Sequence, residues 1–174
     1  MLRFIILFVI CLAILFTLEL LVPVDRHVIV PFTTVIADVS AWIIGVFDAH
    51  VIVQGKVIRS ATSGFAISIE RGCNGVEAVI ILVSAMLAFP APWKRKAIGI
   101  GLGFLAIQAL NLVRIISLFY LGQWNRMWFE WFHLYLWQAL IVLDALVVFL
   151  VWLRTLPPTQ RAPGQGLSLN SESV

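Results

Sequence analysis

The sequence predicts an all-α integral membrane bundle of four spans, or five if residues 31–47 also cross. An amphipathic interfacial helix and a small extracytoplasmic β segment complete it. Three observations carry this reading. Hydrophobic residues make up 61% of the 174-residue chain and charged residues only 12%, where a soluble domain carries roughly 25% charged residues. Mean hydropathy is +1.02. The apolar residues fall into runs of membrane-crossing length, separated by short stretches that collect the basic and tryptophan residues.

The first run, "LRFIILFVICLAILFTLELLV" (residues 2–22), is long enough to cross a hydrocarbon layer of ~30 Å at 1.5 Å per residue. Its charged leader is short and no small-residue cleavage site follows, so it reads as a retained span. Residues 31–47, "PFTTVIADVSAWIIGVF", place Phe32, Val35, Ile36, Val39, Trp42, Ile43, Val46 and Phe47 at helical spacing. Thr33, Thr34, Asp38, Ala41 and Gly45 fall opposite, and Pro31 marks the first turn. A helix with one polar face is expected to lie in the interface. Residues 50–70 then change period. The short runs Val51–Val53, Val57–Ile58 and Phe65–Ile69, broken by Gly55 and Gly64, predict two or three strands outside the hydrocarbon, where their edges need not face lipid.

Three more spans are predicted at 74–92, 97–121 and 127–153. The loop between the first two carries Lys94, Arg95 and Lys96, which marks the cytoplasmic side. Arg154 and Arg161 place the C-terminus on that same side. Trp93 and Trp152 are expected in an inner aromatic belt, and Trp124, Trp128 and Trp131 in an outer one. Residues 1–156 thus read as one membrane-embedded domain, and 157–174 as a polar, disordered tail rich in Pro, Gly and Ser. No basic run with interleaved aromatics suggests nucleic acid, and the net charge of +3 fits membrane orientation instead. Cys11 and Cys73 have no CxxC spacing and no neighbouring His/Cys cluster, so neither zinc nor a disulfide framework is indicated. No cofactor signature is present, and the bilayer lipid is the one partner that composition alone implies.

Depth counting brings out one constellation. Cys73 precedes Trp93 by 20 residues, Arg114 follows Lys96 by 18, and His133 precedes Trp152 by 19. On ideal helices these intervals put all three groups ~27–30 Å above the cytoplasmic edge. Cys73 is expected at a helix N-terminus, where the dipole and the nearby cations His133 and Arg71 lower a thiol pKa. His133 suits an ion pair with the thiolate and later proton donation to a leaving amine. Arg114 suits an oxyanion. Asn111, one turn below on the same face, is placed to orient Arg114, and Gly72 and Gly75 allow close backbone approach to the thiol. Each residue also has a plainer reading. Cys73 alone is a packing residue, His133 an interfacial one, and Arg114 a snorkelling or ion-paired side chain with Glu77 as partner. Asp144 reads as a polar link to Gln108.

The stretches "ERGCNGVEAVIIL", "NLVRIISLFYLG" and "FHLYLWQALIVLDAL" together resemble the exosortase/archaeosortase family, in the compact form of the exosortase H type. The resemblance runs to about Leu153, with Asn74 after the cysteine where many relatives carry Ser or Ala. It implies that Cys73, Arg114 and His133 are catalytic. It also implies a multi-pass protein of the bacterial cytoplasmic (inner) membrane with its active site on the extracytoplasmic face. The implied activity is that of a cysteine peptidase or transpeptidase. Its substrates would be exported proteins ending in a short motif, for this type IPTL-like, then an apolar helix and a basic cluster. The competing expectation from the residues is a non-enzymatic protein, a transporter subunit or assembly factor, in which Arg114, Asp144 and Glu77 form an intramembrane charge network. A thiol redox protein is disfavoured because no resolving cysteine lies nearby.

Overall fold

The computed structural model describes residues 2–156; the tail expected over 157–174 lies outside them. The elements in chain order are α1 (Leu2–Leu20), α2 (Val22–Gly45), β1 (Val51–Gln54), β2 (Val57–Ser60), β3 (Ala66–Ser68), α3 (Val76–Ala88), α4 (Trp93–Trp124) and α5 (Arg126–Arg154). The fold is an all-α membrane bundle carrying one three-stranded antiparallel sheet, as expected.

Among the described residues, four helices are long and apolar enough to cross a membrane, namely α1, α2, α4 and α5. This differs from the expected set. The predicted span at 74–92 is a helix of only 13 residues, α3, about 20 Å long. Gly72 and Gly75, both at positive φ, hold the residues before it in a tight turn. Conversely, the predicted interfacial helix starts nine residues early and reaches 24 residues. Pro23, not Pro31, occupies its first turn. Pro31 lies inside the helix, just beyond a π-helical turn at Asp25–Ile29. A proline cannot donate to the residue four before it and crowds that carbonyl; a wider turn directly upstream accommodates it without breaking the helix.

α2 buries residues from both of the predicted faces, Ile36 with Thr33 and Ala41, and exposes others from both, Val35 and Trp42 with Asp38. Its buried side is Thr33, Ile36, Ala37, Ser40, Ala41 and Ile44, while Val35, Val39, Trp42, Val46 and Phe47 are exposed. In lipid, small and polar residues pack against protein and large apolar ones face outward. The buried hydroxyls of Thr33 and Ser40 donate to carbonyls one turn back. This face meets the sheet and α4 in a core of Ile36, Ala37, Ile44, Ile58, Ile69, Ile115 and Phe119. Most of these contacts lie at or beyond the level of Arg114 on α4, although Phe32 reaches down to Phe104. A helix seated across the sheet end of the bundle fits that packing.

The sheet order is β1-β2-β3. The hairpin turns at Gly55, whose φ is +58°. Phe65 anchors the sheet to α4, since a Cβ on Gly122 would meet its ring at 2.1 Å. At the opposite end, α1 runs antiparallel to α3, with Phe4 edge-on to Phe89. Here two of the three consecutive basic residues cap neighbouring helices. Arg95 donates to Thr155 O at 2.6 Å and Lys96 to Leu87 O at 2.8 Å, satisfying carbonyls at two helix C-termini. Trp152 does not join an aromatic belt. It is buried against Gly99 and donates to Arg95 O at 3.1 Å.

Candidate active site

Residues 70–75 form a turn between β3 and α3. The Cys73 N–H donates to Glu70 O at 3.0 Å. Cys73 therefore lies three residues before the first helical residue, Val76, and not on the helix itself. The helix start is capped by Asn74, whose Oδ1 accepts from Val76 N at 3.1 Å while its Nδ2 donates to Thr33 Oγ1 at 3.2 Å. The amide that departs from the resembled motif thus has two structural partners, and it ties the turn to α2.

Gly72 is held from both sides. Its N–H donates to Glu77 Oε1, and its carbonyl accepts from Arg114 Nη1 at 2.9 Å. The expected Arg114–Glu77 ion pair is absent from the described residues; the two side chains instead grip the same peptide. The other end of the Arg114 guanidinium, Nη2, lies 3.5 Å from Cys73 Sγ. His133 Nε2 lies 4.0 Å from the same sulfur. Cys73, Arg114 and His133 come together, each from a different segment of the chain. Arg114 is 1% exposed, as a cation at membrane depth must be when it has named partners.

The π-helical turn Phe132–Leu136 carries His133. Such a turn shifts a side chain off the regular helical spacing, and it occurs often at functional sites. The ring stacks on Phe129, with centroids 5.6 Å apart and planes 4° from parallel. His133 Nδ1 is buried without a hydrogen-bond partner. The ring orientation is thus set by packing, where a triad would use a third polar group.

Other expected members are placed differently. Arg71 turns away from the thiol to pair with Asp25 at 2.6 Å, fastening the start of α2 to the turn. Asn111 does not hold Arg114. It is 1% exposed, and both polar atoms of its side chain lack partners. Gln108 and Asp144 are not linked, and both retain unpaired buried atoms. Gly75 suits its place because φ is +76°, a left-handed backbone that strains any L side chain, and a Cβ there would also press on the Gln108 amide at 2.9 Å. Phe129 was not anticipated, although its place one helical turn before His133 was a usable signal.

The thiol electrostatics also differ from expectation. Burial pushes the Cys73 thiol above its ordinary range, Arg114 pulls it back down, and Glu77 and Glu70 push it further up. Desolvation of the thiolate outweighs the single adjacent guanidinium.

A turn-borne cysteine flanked by an arginine and a histidine, at one end of a membrane helix bundle, defines a candidate intramembrane-edge nucleophile site. The family model for transmembrane exosortases matches residues 2–153, and the chain belongs to that family. It is a multi-pass membrane protein related to enzymes that process sorting tails. Searches of curated proteins and of solved structures return no match.

Proposed function

We propose that the chain is a cysteine peptidase or transpeptidase that cleaves the C-terminal sorting tails of exported proteins. The observation that carries this reading is the convergence of Arg114 Nη2 and His133 Nε2 on Cys73 Sγ, at 3.5 Å and 4.0 Å.

In this reading His133 Nε2 takes the thiol proton as Sγ attacks the scissile carbonyl carbon. The carbonyl oxygen becomes an oxyanion beside the sulfur, and the Arg114 guanidinium donates to it there. Gly72 keeps Arg114 in place throughout, through the Nη1 contact. Collapse of the intermediate breaks the C–N bond, and His133 returns its proton to the departing amine of the tail. A thioester on Cys73 remains. An incoming amine, or water, gives a proton to His133 and attacks the thioester, and the sulfur leaves and regains a proton. The apolar tail helix lies among the spans, its basic end toward Lys94–Lys96 and its scissile motif at the turn. By this reading, the turn faces the extracytoplasmic side of the cytoplasmic membrane.

The test is processing of an exported reporter that ends in an IPTL-type motif, an apolar helix and a basic cluster. Tail release that persists in the Cys73→Ala protein would remove the peptidase reading.

A further inference from the structure

Between α4 and α5, with Arg114 in its wall, lies a cleft of about 290 Å³. Leu110, Asn111 and Arg114 line it from one side, and Trp137, Leu140 and Asp144 from the other. Leu110 and Leu140 are themselves exposed, so the cleft opens sideways toward lipid. Its walls are largely apolar, yet four of the residues that line it carry buried polar groups with no hydrogen-bond partner. They are both ends of the Asn111 amide, Arg114 Nε, Trp137 Nε1 and Asp144 Oδ2. Leaving buried polar atoms unmet costs about 1–3 kcal/mol per group, more when no water can compensate.

The chemistry of these groups selects the occupant. An acyl chain offers them nothing. A phosphate would meet the Asp144 carboxylate. A helix has its own backbone groups satisfied internally. An extended peptide presents N–H donors and C=O acceptors together, which is what a carboxamide, a carboxylate and an indole N–H can meet. Arg114 belongs to both places, since its guanidinium reaches Cys73 and the residue lines the cleft. Val147 is shared with a second groove of about 610 Å³ that runs on between the same helices to Arg95 and Thr155. Arg95 to Arg114 on one helix spans roughly 28 Å, the depth of a bilayer core.

We propose that the cleft seats the first residues after the scissile bond in unwound form, with Asn111 hydrogen-bonded to their backbone, and that the lower groove holds the helix continuing from them. This assignment rests on the peptidase reading above. Asn111 is then a substrate-binding residue and not the orienter of Arg114. The lateral opening lets a chain already anchored in the bilayer enter without leaving it.

The test uses the full chain in membranes with the tail-bearing reporter. A photo-reactive benzoylphenylalanine is placed at Leu140, in the cleft, or at Val142, exposed but outside it, each in the Cys73→Ala background. Cross-linking to the reporter tail from position 140 and not from 142 is expected. Asn111→Leu should lower kcat/KM about tenfold while the alkylation rate of Cys73 stays within about twofold. Cys73-dependent processing with no cross-link, or with a cross-link to phospholipid alone, overturns the cleft assignment and leaves the peptidase reading standing. So does an Asn111→Leu protein that processes normally, or one whose thiol reactivity changes, which marks a packing residue. Neither processing nor cross-linking overturns both.

Discussion

Replacing Arg114 by lysine separates its two contacts while keeping its charge. The guanidinium reaches Gly72 O through Nη1 at 2.9 Å and Cys73 Sγ through Nη2 at 3.5 Å. A lysine offers one ammonium, which can occupy only one of these positions at a time. If it keeps the Gly72 carbonyl, the developing oxyanion loses its donor; if it turns to the sulfur, the turn loses its anchor. One hydrogen bond to a charged group is worth about 1.5–3 kcal/mol, and each ~1.4 kcal/mol is a decade in rate. Arg114→Lys should therefore slow tail release by about 10- to 150-fold, and Arg114→Leu, which removes both contacts, by about 10³-fold or more. The assay is the time course of reporter processing in isolated membranes, normalised to the amount of membrane-inserted protein. An Arg114→Lys protein within about twofold of the unsubstituted one would show that the guanidinium fork has no part in the chemistry.

Burial holds the Cys73 thiol above its ordinary range, so its alkylation by iodoacetamide should be slow at neutral pH and rise with an inflection above the usual thiol value of ~8.5. Loss of the positive charge in Arg114→Leu should move that inflection further up, because the guanidinium is the main group lowering it. Phe129→Ala frees the His133 ring from its stacked position; a contact of this kind is worth about 0.5–1.5 kcal/mol, so kcat should fall about 2- to 10-fold with KM little changed. Gly75→Ala combines a left-handed backbone with a clash against Gln108 and should cost about 1–3 kcal/mol of stability, read as a lower unfolding midpoint in detergent. Gly101→Ala, where an added Cβ meets open space, should be neutral or stabilise by up to about 1 kcal/mol.

Much of this architecture could be read from local sequence. The strands followed from β-branched runs broken by Gly55, and α4 and α5 from uninterrupted apolar periodicity. Depth counting from Trp93, Lys96 and Trp152 put Cys73, Arg114 and His133 at one level, and the fold brings the three side chains together, although the helix after Cys73 covers only 13 residues of that count. Helix boundaries that depend on tertiary compensation were not legible. Pro31 reads as a start signal unless the π-helical turn before it is known, and the turn at 70–75 shortens α3 in a way that hydrophobicity does not reveal. The packing face of α2 was not assigned from sequence; the fold turns Thr33 and Ser40 inward and Trp42 outward, as small and polar residues favour helix contacts in lipid. Site partners were the hardest to foresee. Glu77 and Arg71 were sensible companions for the nearest opposite or reactive group, but each is taken by a backbone amide or a distant carboxylate, Gly72 and Asp25, that only the fold brings near. The thiol shift was misjudged for a related reason, since the desolvation that outweighs Arg114 depends on burial that no residue pattern displays.

The most direct measurement is the mass of the intact protein after quenching with acid during turnover of the tail-bearing reporter. A thioester predicts an added mass equal to the reporter without its tail. That mass should map to the peptide containing Cys73, be released by neutral hydroxylamine, and be absent from Cys73→Ala. Tail release proceeding at full rate with no such adduct, or an adduct on any other residue, would contradict a nucleophilic role for Cys73.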